Sequence, residues 1–132
     1  MTLLQSAPAQ TAAAAGTAPI PTISAAGLSD TLTGAPQTVV LDVRTPAEFT
    51  GPLGHIDGAY LIPVQELENR VAELDTLKDR PIYVICRSGN RSKTATGILL
   101  ENDFRAVNVA GGMQAWNKLP EHQPRSEPDS QE

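Results

Sequence analysis

The segment from Pro81 to Asn102 constrains the fold more than any other part of the chain. The apolar run Pro81 to Ile85 is typical of a buried strand, and apolar residues recur at helical spacing from Ser92 to Asn102. The only cysteine, Cys86, lies in the short loop between them. A strand that leads through a short loop into a helix is the repeating unit of parallel α/β proteins. Those proteins usually hold their reactive groups at this junction.

The rest of the chain repeats this alternation of strand and helix. Thr38–Val43 is a nearly continuous run of β-branched and aliphatic residues, as expected of a strand buried on both faces. Gln65–Leu77 has its apolar residues on one stripe, as expected of an amphipathic helix. Strands are predicted over residues 20–23, 38–43, 59–62, 81–85 and 106–110, and helical segments after Ser24 and over 47–50, 65–77, 92–102 and 113–119. The sequence therefore predicts an α/β fold with a five-stranded, mostly parallel sheet flanked by helices on both faces.

Length and composition indicate one domain with a tail at each end. At 132 residues there is room for a single domain of ordinary size. Residues 1–19 are rich in alanine, contain prolines and no charged side chain, and are predicted to form a disordered tail. Residues 121–132 carry four acidic side chains against one arginine and are predicted to form a second, acidic disordered tail. The domain is therefore placed at residues 20–120.

Composition also argues against several classes of protein. The formal net charge is -5, so the chain lacks the basic surface of a nucleic-acid-binding protein. No apolar run approaches membrane-spanning length. A secretory signal requires a positively charged start, but no lysine or arginine precedes Arg44. A single cysteine forms no internal disulfide, and with two separated histidines it offers no metal site. We expect a cytoplasmic protein with no nucleic acid or membrane partner.

The surroundings of the cysteine are basic. No acidic residue occurs between Asp79 and Glu101, whereas that interval contains three arginines and Lys93. A basic surface attracts an anionic substrate. The alternative is a solvated, positively charged start of a helix, but the cysteine among the basic residues favours the substrate interpretation.

The loop from Cys86 to Ser92 has the features that activate a thiol. A thiol is a weak nucleophile until it ionises, and a helix N-terminus and neighbouring cations lower its pKa from about 8.5. Arg87 and Arg91 supply positive charge. The residues between them, Ser88, Gly89 and Asn90, are small or tolerate unusual backbone angles, so that their N–H groups can surround one anion. Cys86 is therefore the candidate nucleophile, the alternative being a buried small hydrophobic residue.

The spacing within this loop indicates what the cysteine carries. Loops that handle phosphate place their cysteine and arginine with five residues between them, whereas Cys86 and Arg91 have four between them. The N–H groups predicted to surround the sulfur within residues 86–92 form a cradle. This cradle suits one extra sulfur atom on Cys86 better than a tetrahedral phosphate. The short loop and the lack of a second cysteine also disfavour a cysteine phosphatase or an arsenate reductase.

Several short motifs occur in a fixed order along residues 20 to 119. They are CRSGNRS at 86–92; LDVR at 41–44 with Pro46, Glu48 and Phe49; GHI at 54–56 with DGA at 57–59; IP at 62–63; and VAGG at 109–112 with Trp116. Together these motifs resemble a single-domain rhodanese, a member of the rhodanese-like sulfurtransferase family. One departure is the stretch 50–53, which is slightly longer than the commonest spacing and lies where it would alter the pocket rim.

The resemblance implies a thiosulfate sulfurtransferase that needs no cofactor. Cys86 would take sulfane sulfur from a small anionic donor such as thiosulfate, become a persulfide, and give the sulfur to cyanide or a thiol. The loop amides and Arg91 would hold the persulfide, and Arg87 would bind the sulfonate of the donor. The alternative is a persulfide carrier or binding module that serves a protein sulfur donor.

Other polar residues have structural interpretations. Arg91 could instead cap neighbours at the helix start, and Arg87 could simply face water. Asp42 and Arg44 are expected to hold nearby backbone. His55 is expected to pack and to hydrogen-bond a loop, and Trp116 to lie in the core or at the pocket edge.

Overall fold

In the computed structural model, residues 19–122 form one α/β domain. Most of the two tails predicted at residues 1–19 and 121–132 therefore lies outside the described residues. The first two residues of the second tail, Glu121 and His122, belong to a 3₁₀ turn, Pro120–His122, that packs on the domain. Within residues 19–122, no helix is both long enough and apolar enough to cross a membrane.

Five parallel strands form the sheet, as the sequence predicts. Their bounds are β1 Thr22–Ile23, β2 Val39–Asp42, β3 Tyr60–Leu61, β4 Pro81–Ile85 and β5 Arg105–Val109. The spatial order is β1-β5-β4-β2-β3, so that β4 is central and β1 and β3 form the edges. The register pairs Leu41 of β2 with Val84 of β4, and Val84 in turn with Asn108 of β5.

One strand differs from its prediction. Residues 59–62 were predicted to form a buried strand, but β3 has only two paired residues and the side chain of Tyr60 is 48% exposed. Because β3 pairs with β2 alone, one side of it faces away from the sheet. The apolar residues of this segment therefore do not all enter the core.

The helices are α1 Ala25–Gly34, α2 Pro46–Phe49, α3 Val64–Arg70, α4 Asn90–Glu101 and α5 Gly112–Lys118. The single helix predicted over residues 65–77 is wrong in its second half, where Val71–Leu77 is a 3₁₀ helix. Its apolar residues are three apart, and a 3₁₀ helix has three residues per turn, so Val71, Leu74 and Leu77 all pack against the core.

The sheet is covered on both faces, which is why the central strands are apolar throughout. Leu41 and Val84 pack in one cluster with Leu99 of α4. The intervening residues Val40 and Ile85 pack in a second cluster, on the other face of the sheet, with residues of α1 and α5. This two-sided core fixes β4, and with it the start of the loop that carries Cys86.

Candidate active site

The cysteine lies at the carboxyl end of the central strand. Cys86 directly follows β4, and its side chain is almost completely buried. Helix α4 begins at Asn90, one or two residues before the start predicted near Arg91 or Ser92. Gly89 precedes α4 with φ 111°, in the left-handed region that favours glycine. In this conformation the Gly89 N–H donates a hydrogen bond to Cys86 Sγ over 3.0 Å. The loop is therefore folded around the sulfur.

The cradle favours the ionised form of Cys86. Burial raises the pKa of the thiol, because a charge is less stable away from water. The Ser92 hydroxyl and the backbone N–H groups of Ser92, Gly89 and Ser88 act in the opposite direction, since they stabilise the thiolate. The net effect is a pKa below the usual value for cysteine. A lowered pKa is what a thiol needs in order to act as a nucleophile.

A buried asparagine that sequence reasoning missed lies next to this cradle. Ser92 Oγ is 3.4 Å from Cys86 Sγ, and its hydroxyl donates to Asn108 Oδ1 of β5 over 2.5 Å. Both Ser92 and Asn108 are buried. The signal in the sequence was a polar residue inside an otherwise apolar predicted strand, which indicates a specific buried partner.

The second arginine of the loop is paired with an acidic residue from another helix. Both terminal nitrogens of Arg91 donate to the Glu48 carboxylate, each over 2.8 Å. These bonds with Arg91 are the largest cause of a Glu48 pKa lowered to about 2. Glu48 also forms a capping box with Thr45 at the start of α2. Arg91 therefore joins the loop to α2, and its charge also acts on Cys86.

Asp42 and Arg44 form a buried ion pair, in keeping with the scaffold interpretation. Arg44 Nη2 is 2.7 Å from Asp42 Oδ2, and both side chains are at most 1% exposed. The guanidinium also donates to the carbonyl oxygens of Glu48 and Gly54. His55 Nδ1 lies 2.8 Å from a backbone carbonyl oxygen of α2. These contacts fix the segment that carries Glu48.

The mouth of the cradle is exposed and basic. Arg87, Ser88 and Asn90 face solvent. Arg87 lines a cavity of about 300 Å³ together with Arg44, Glu48, Pro52 and Leu53. Two residues of the stretch 50–53, whose length departs from the commonest spacing, thus line the same cavity as Arg87.

The start of α5 holds the loop through backbone hydrogen bonds. The N–H groups of Met113 and Gln114 donate to the carbonyl oxygens of Cys86 and Arg87, over 2.8 and 3.0 Å. Gly112 has φ 56°, and a Cβ atom there would lie 2.4 Å from the Cys86 carbonyl oxygen. Only glycine lets the backbones of α5 and the loop approach this closely. Trp116 packs in the core and lines a separate cavity of about 390 Å³ with His55.

All seven predicted loop residues lie on one loop and the first turn of α4, but they face different ways. Gly89 and Ser92 contact the sulfur, Arg91 pairs with Glu48, and Arg87 faces the cavity. The arrangement can ionise a thiol, hold a charged group on it, and present a cation to an incoming anion.

Comparisons with known proteins point to one family. The sequence matches the rhodanese-like domain family over residues 24–119. It is 35% identical over 95 residues to a sulfurtransferase of Allochromatium vinosum, covering 71% of this chain and 85% of the relative. It is 40% identical over 78 residues to a Bacillus subtilis protein named "Putative sulfur carrier protein YrkF", covering 58% of this chain and 40% of the relative. The structure of a rhodanese-like domain protein from Staphylococcus aureus matches with a TM-score of 0.67 at 32% identity, covering 74% of this chain and 91% of that one.

Proposed function

Since the chain belongs to the rhodanese-like domain family of sulfurtransferases, we propose that it transfers sulfane sulfur through a persulfide on Cys86. The observation that carries the proposal is the loop itself. A lone buried thiol receives a hydrogen bond from the Gly89 N–H, lies beside Ser92 and has a lowered pKa. Such an environment supports a thiolate nucleophile and, after transfer, a charged outer sulfur.

The first half-reaction uses an anionic donor, for which thiosulfate is the simplest candidate. The Cys86 thiolate attacks the sulfane sulfur, an Sγ–S bond forms, the S–S bond of thiosulfate breaks, and sulfite leaves with the electron pair. The exposed Arg87 at the mouth of the cradle is the group that would bind the sulfonate. The N–H groups at the start of α4 would stabilise the negative charge of the persulfide.

The second half-reaction returns the thiolate. The carbon of cyanide, or the sulfur of a thiolate, attacks the outer sulfur of the persulfide, the new bond forms, and the electrons of the Sγ–S bond return to Cys86. No oxidant or reductant is needed, because each step exchanges one nucleophile for another. The cavity between Arg87 and Leu53 is where an acceptor would lie.

Intact mass tests the intermediate. After mixing with thiosulfate and removal of excess donor, the protein should gain the mass of one sulfur atom, and Cys86→Ser should gain nothing. Arg87→Ala should raise KM for thiosulfate about tenfold, because one charge-assisted contact is lost. The matched control is Arg80→Ala, whose side chain is exposed and forms an ion pair with its neighbour Asp79. An unmodified protein at saturating donor would refute thiosulfate as the substrate.

A persulfide carrier that serves a protein donor is the second candidate. It is favoured by the resemblance to YrkF, a protein named as a sulfur carrier, and by a cavity that is open to solvent beside the loop. In that case turnover with thiosulfate and cyanide would be negligible, whereas a persulfidated protein donor would charge Cys86 quickly. The cytoplasmic location inferred from the sequence stays a prediction.

A further inference from the structure

The hydroxyl of Ser92 lies between three groups that compete for its one proton. Its Oγ is 2.5 Å from Asn108 Oδ1, 3.2 Å from the Gly89 carbonyl oxygen and 3.4 Å from Cys86 Sγ. A hydroxyl donates one hydrogen bond and accepts up to two. Which of these contacts is favourable therefore depends on whether the sulfur carries a proton.

With Cys86 as a thiol, the chain of hydrogen bonds runs outward from the sulfur. The S–H donates to Ser92 Oγ, and the Ser92 O–H donates to Asn108 Oδ1. Each group then has a partner. The distances from Ser92 Oγ to Cys86 Sγ and to Asn108 Oδ1 fit this arrangement.

With Cys86 as a thiolate, the same arrangement fails. The sulfur has no proton and accepts, so the Ser92 O–H must turn towards it. Ser92 Oγ and Asn108 Oδ1 would then be two acceptors in close contact in a buried site, which is unfavourable. A half-turn of the Asn108 amide about its Cβ–Cγ bond removes the conflict, because Nδ2 then donates to Ser92 Oγ.

We propose that Asn108 is a positioning residue whose side-chain amide reverses as Cys86 gains or loses its proton, so that the Ser92 hydroxyl stays paired in both states. Asparagine suits this role because its amide offers an acceptor on one side and donors on the other. Leucine offers neither, and aspartate could only accept. The backbone of Asn108 is held by Val84 of β4 and by the carbonyl oxygen of Pro21, so only the side chain needs to turn.

The charged groups around the loop are separate from the hydrogen bonds that link Cys86, Ser92 and Asn108, which we call the relay. They are Arg87 and Arg91 of the loop and α4, Asp42 and Arg44 at the end of β2, and Glu48 of α2. The side chain that β5 contributes, Asn108, is uncharged. A neutral substitution of Asn108 therefore leaves these charged groups in place.

Titration of the thiolate by its ultraviolet absorbance tests the relay, since the chain has one cysteine. In Asn108→Leu we expect the pKa of Cys86 to rise by about half a unit, because the thiol form keeps the Gly89 carbonyl oxygen as an acceptor for the Ser92 hydroxyl, whereas the thiolate form loses the donor to Ser92 Oγ. Ser92→Ala should also raise it. In the Ser92→Ala background, Asn108→Leu should add no shift. The control is Asn69→Leu on the exposed surface of α3, which should leave the pKa unchanged.

A second measurement needs no variant. In wild-type protein labelled with ¹⁵N, the side-chain N–H signals of Asn108 should shift with the same midpoint as the thiolate absorbance. Equal shifts from Asn108→Leu in both backgrounds, or Asn108 side-chain signals that stay constant through the titration, would overturn the proposal. The proposal explains how the thiolate of the proposed sulfurtransferase is maintained. Neither measurement uses a sulfur donor, so its failure is separate from failure of persulfide formation.

Discussion

Replacing Gly112 with alanine tests how the reactive loop is supported. The new Cβ would lie 2.4 Å from the carbonyl oxygen of Cys86 and 2.6 Å from the carbonyl carbon of Arg87. Both contacts are with backbone, so no flexible side chain can move aside. Either α5 or the loop must shift, and the N–H groups of Met113 and Gln114 then lose their carbonyl partners.

The cost follows from three effects. Alanine at φ 56° is strained by about 1 kcal/mol. Each of the two lost hydrogen bonds to a loop carbonyl contributes about 1 kcal/mol. The loop displacement adds a packing cost of about 1 kcal/mol. The free energy of unfolding should therefore fall by about 3 to 4 kcal/mol, a large fraction of what a domain of this size has.

Denaturant unfolding measures this free energy, and the pH dependence of Cys86 alkylation measures the state of the loop. The matched control is Gly97→Ala inside α4, where a Cβ meets nothing within 4 Å and should stabilise the protein by about 0.5 to 1 kcal/mol. We expect Gly112→Ala to raise the pKa of Cys86, because the displaced loop withdraws N–H groups from the sulfur. A loss of stability below about 1 kcal/mol together with an unchanged alkylation profile would refute this account of the support.

Two further substitutions test the ion pairs. Glu48 has a folded-state pKa of about 2, below its ordinary value of 4.5, so its pairing with Arg91 stabilises the fold above about pH 4.5 and is lost as the pH falls towards 2. In Glu48→Gln, denaturant unfolding should show a loss of about 1 kcal/mol at neutral pH, a small value because both side chains are partly exposed. This loss should shrink below about pH 4.5 and disappear towards pH 2. A loss independent of pH would contradict this. Arg44→Ala leaves the buried Asp42 carboxylate unpaired and should lower the free energy of unfolding by about 3 to 5 kcal/mol. Removing an exposed arginine should lower it by less than about 1 kcal/mol. Equal losses would contradict the structural role of the buried ion pair.

The sequence was informative wherever a pattern repeats along the chain. Alternating apolar runs predicted all five strands, and the glycine and serine positions around Cys86 predicted the loop. Ser24 caps α1, in keeping with the helical segment predicted after it. These features depend on neighbours within a few residues.

Contacts between distant residues could not be read in the same way. Glu48 meets Arg91 across 43 positions of sequence, and the pairing depends on the packing of α2 against the loop. The change from α-helix to 3₁₀ helix after Arg70 was hidden because apolar residues spaced three or four apart suit both. Asn108 was hidden because an isolated polar residue in a strand shows only that some partner exists.

The position of β4 in the sheet has a consequence for local opening. Fraying of a sheet starts at its edges, here the two-residue strands β1 and β3, and such partial openings need less free energy than complete unfolding. Strand β4, which leads directly into Cys86, lies between β5 and β2, so fraying from the edges reaches it last. We therefore expect the amide hydrogens of β4 to exchange with solvent only through complete unfolding. A thiol reagent too bulky to enter the cradle would then react at the rate of complete unfolding. The modification rate of the lone cysteine would therefore measure the unfolding rate of the whole domain.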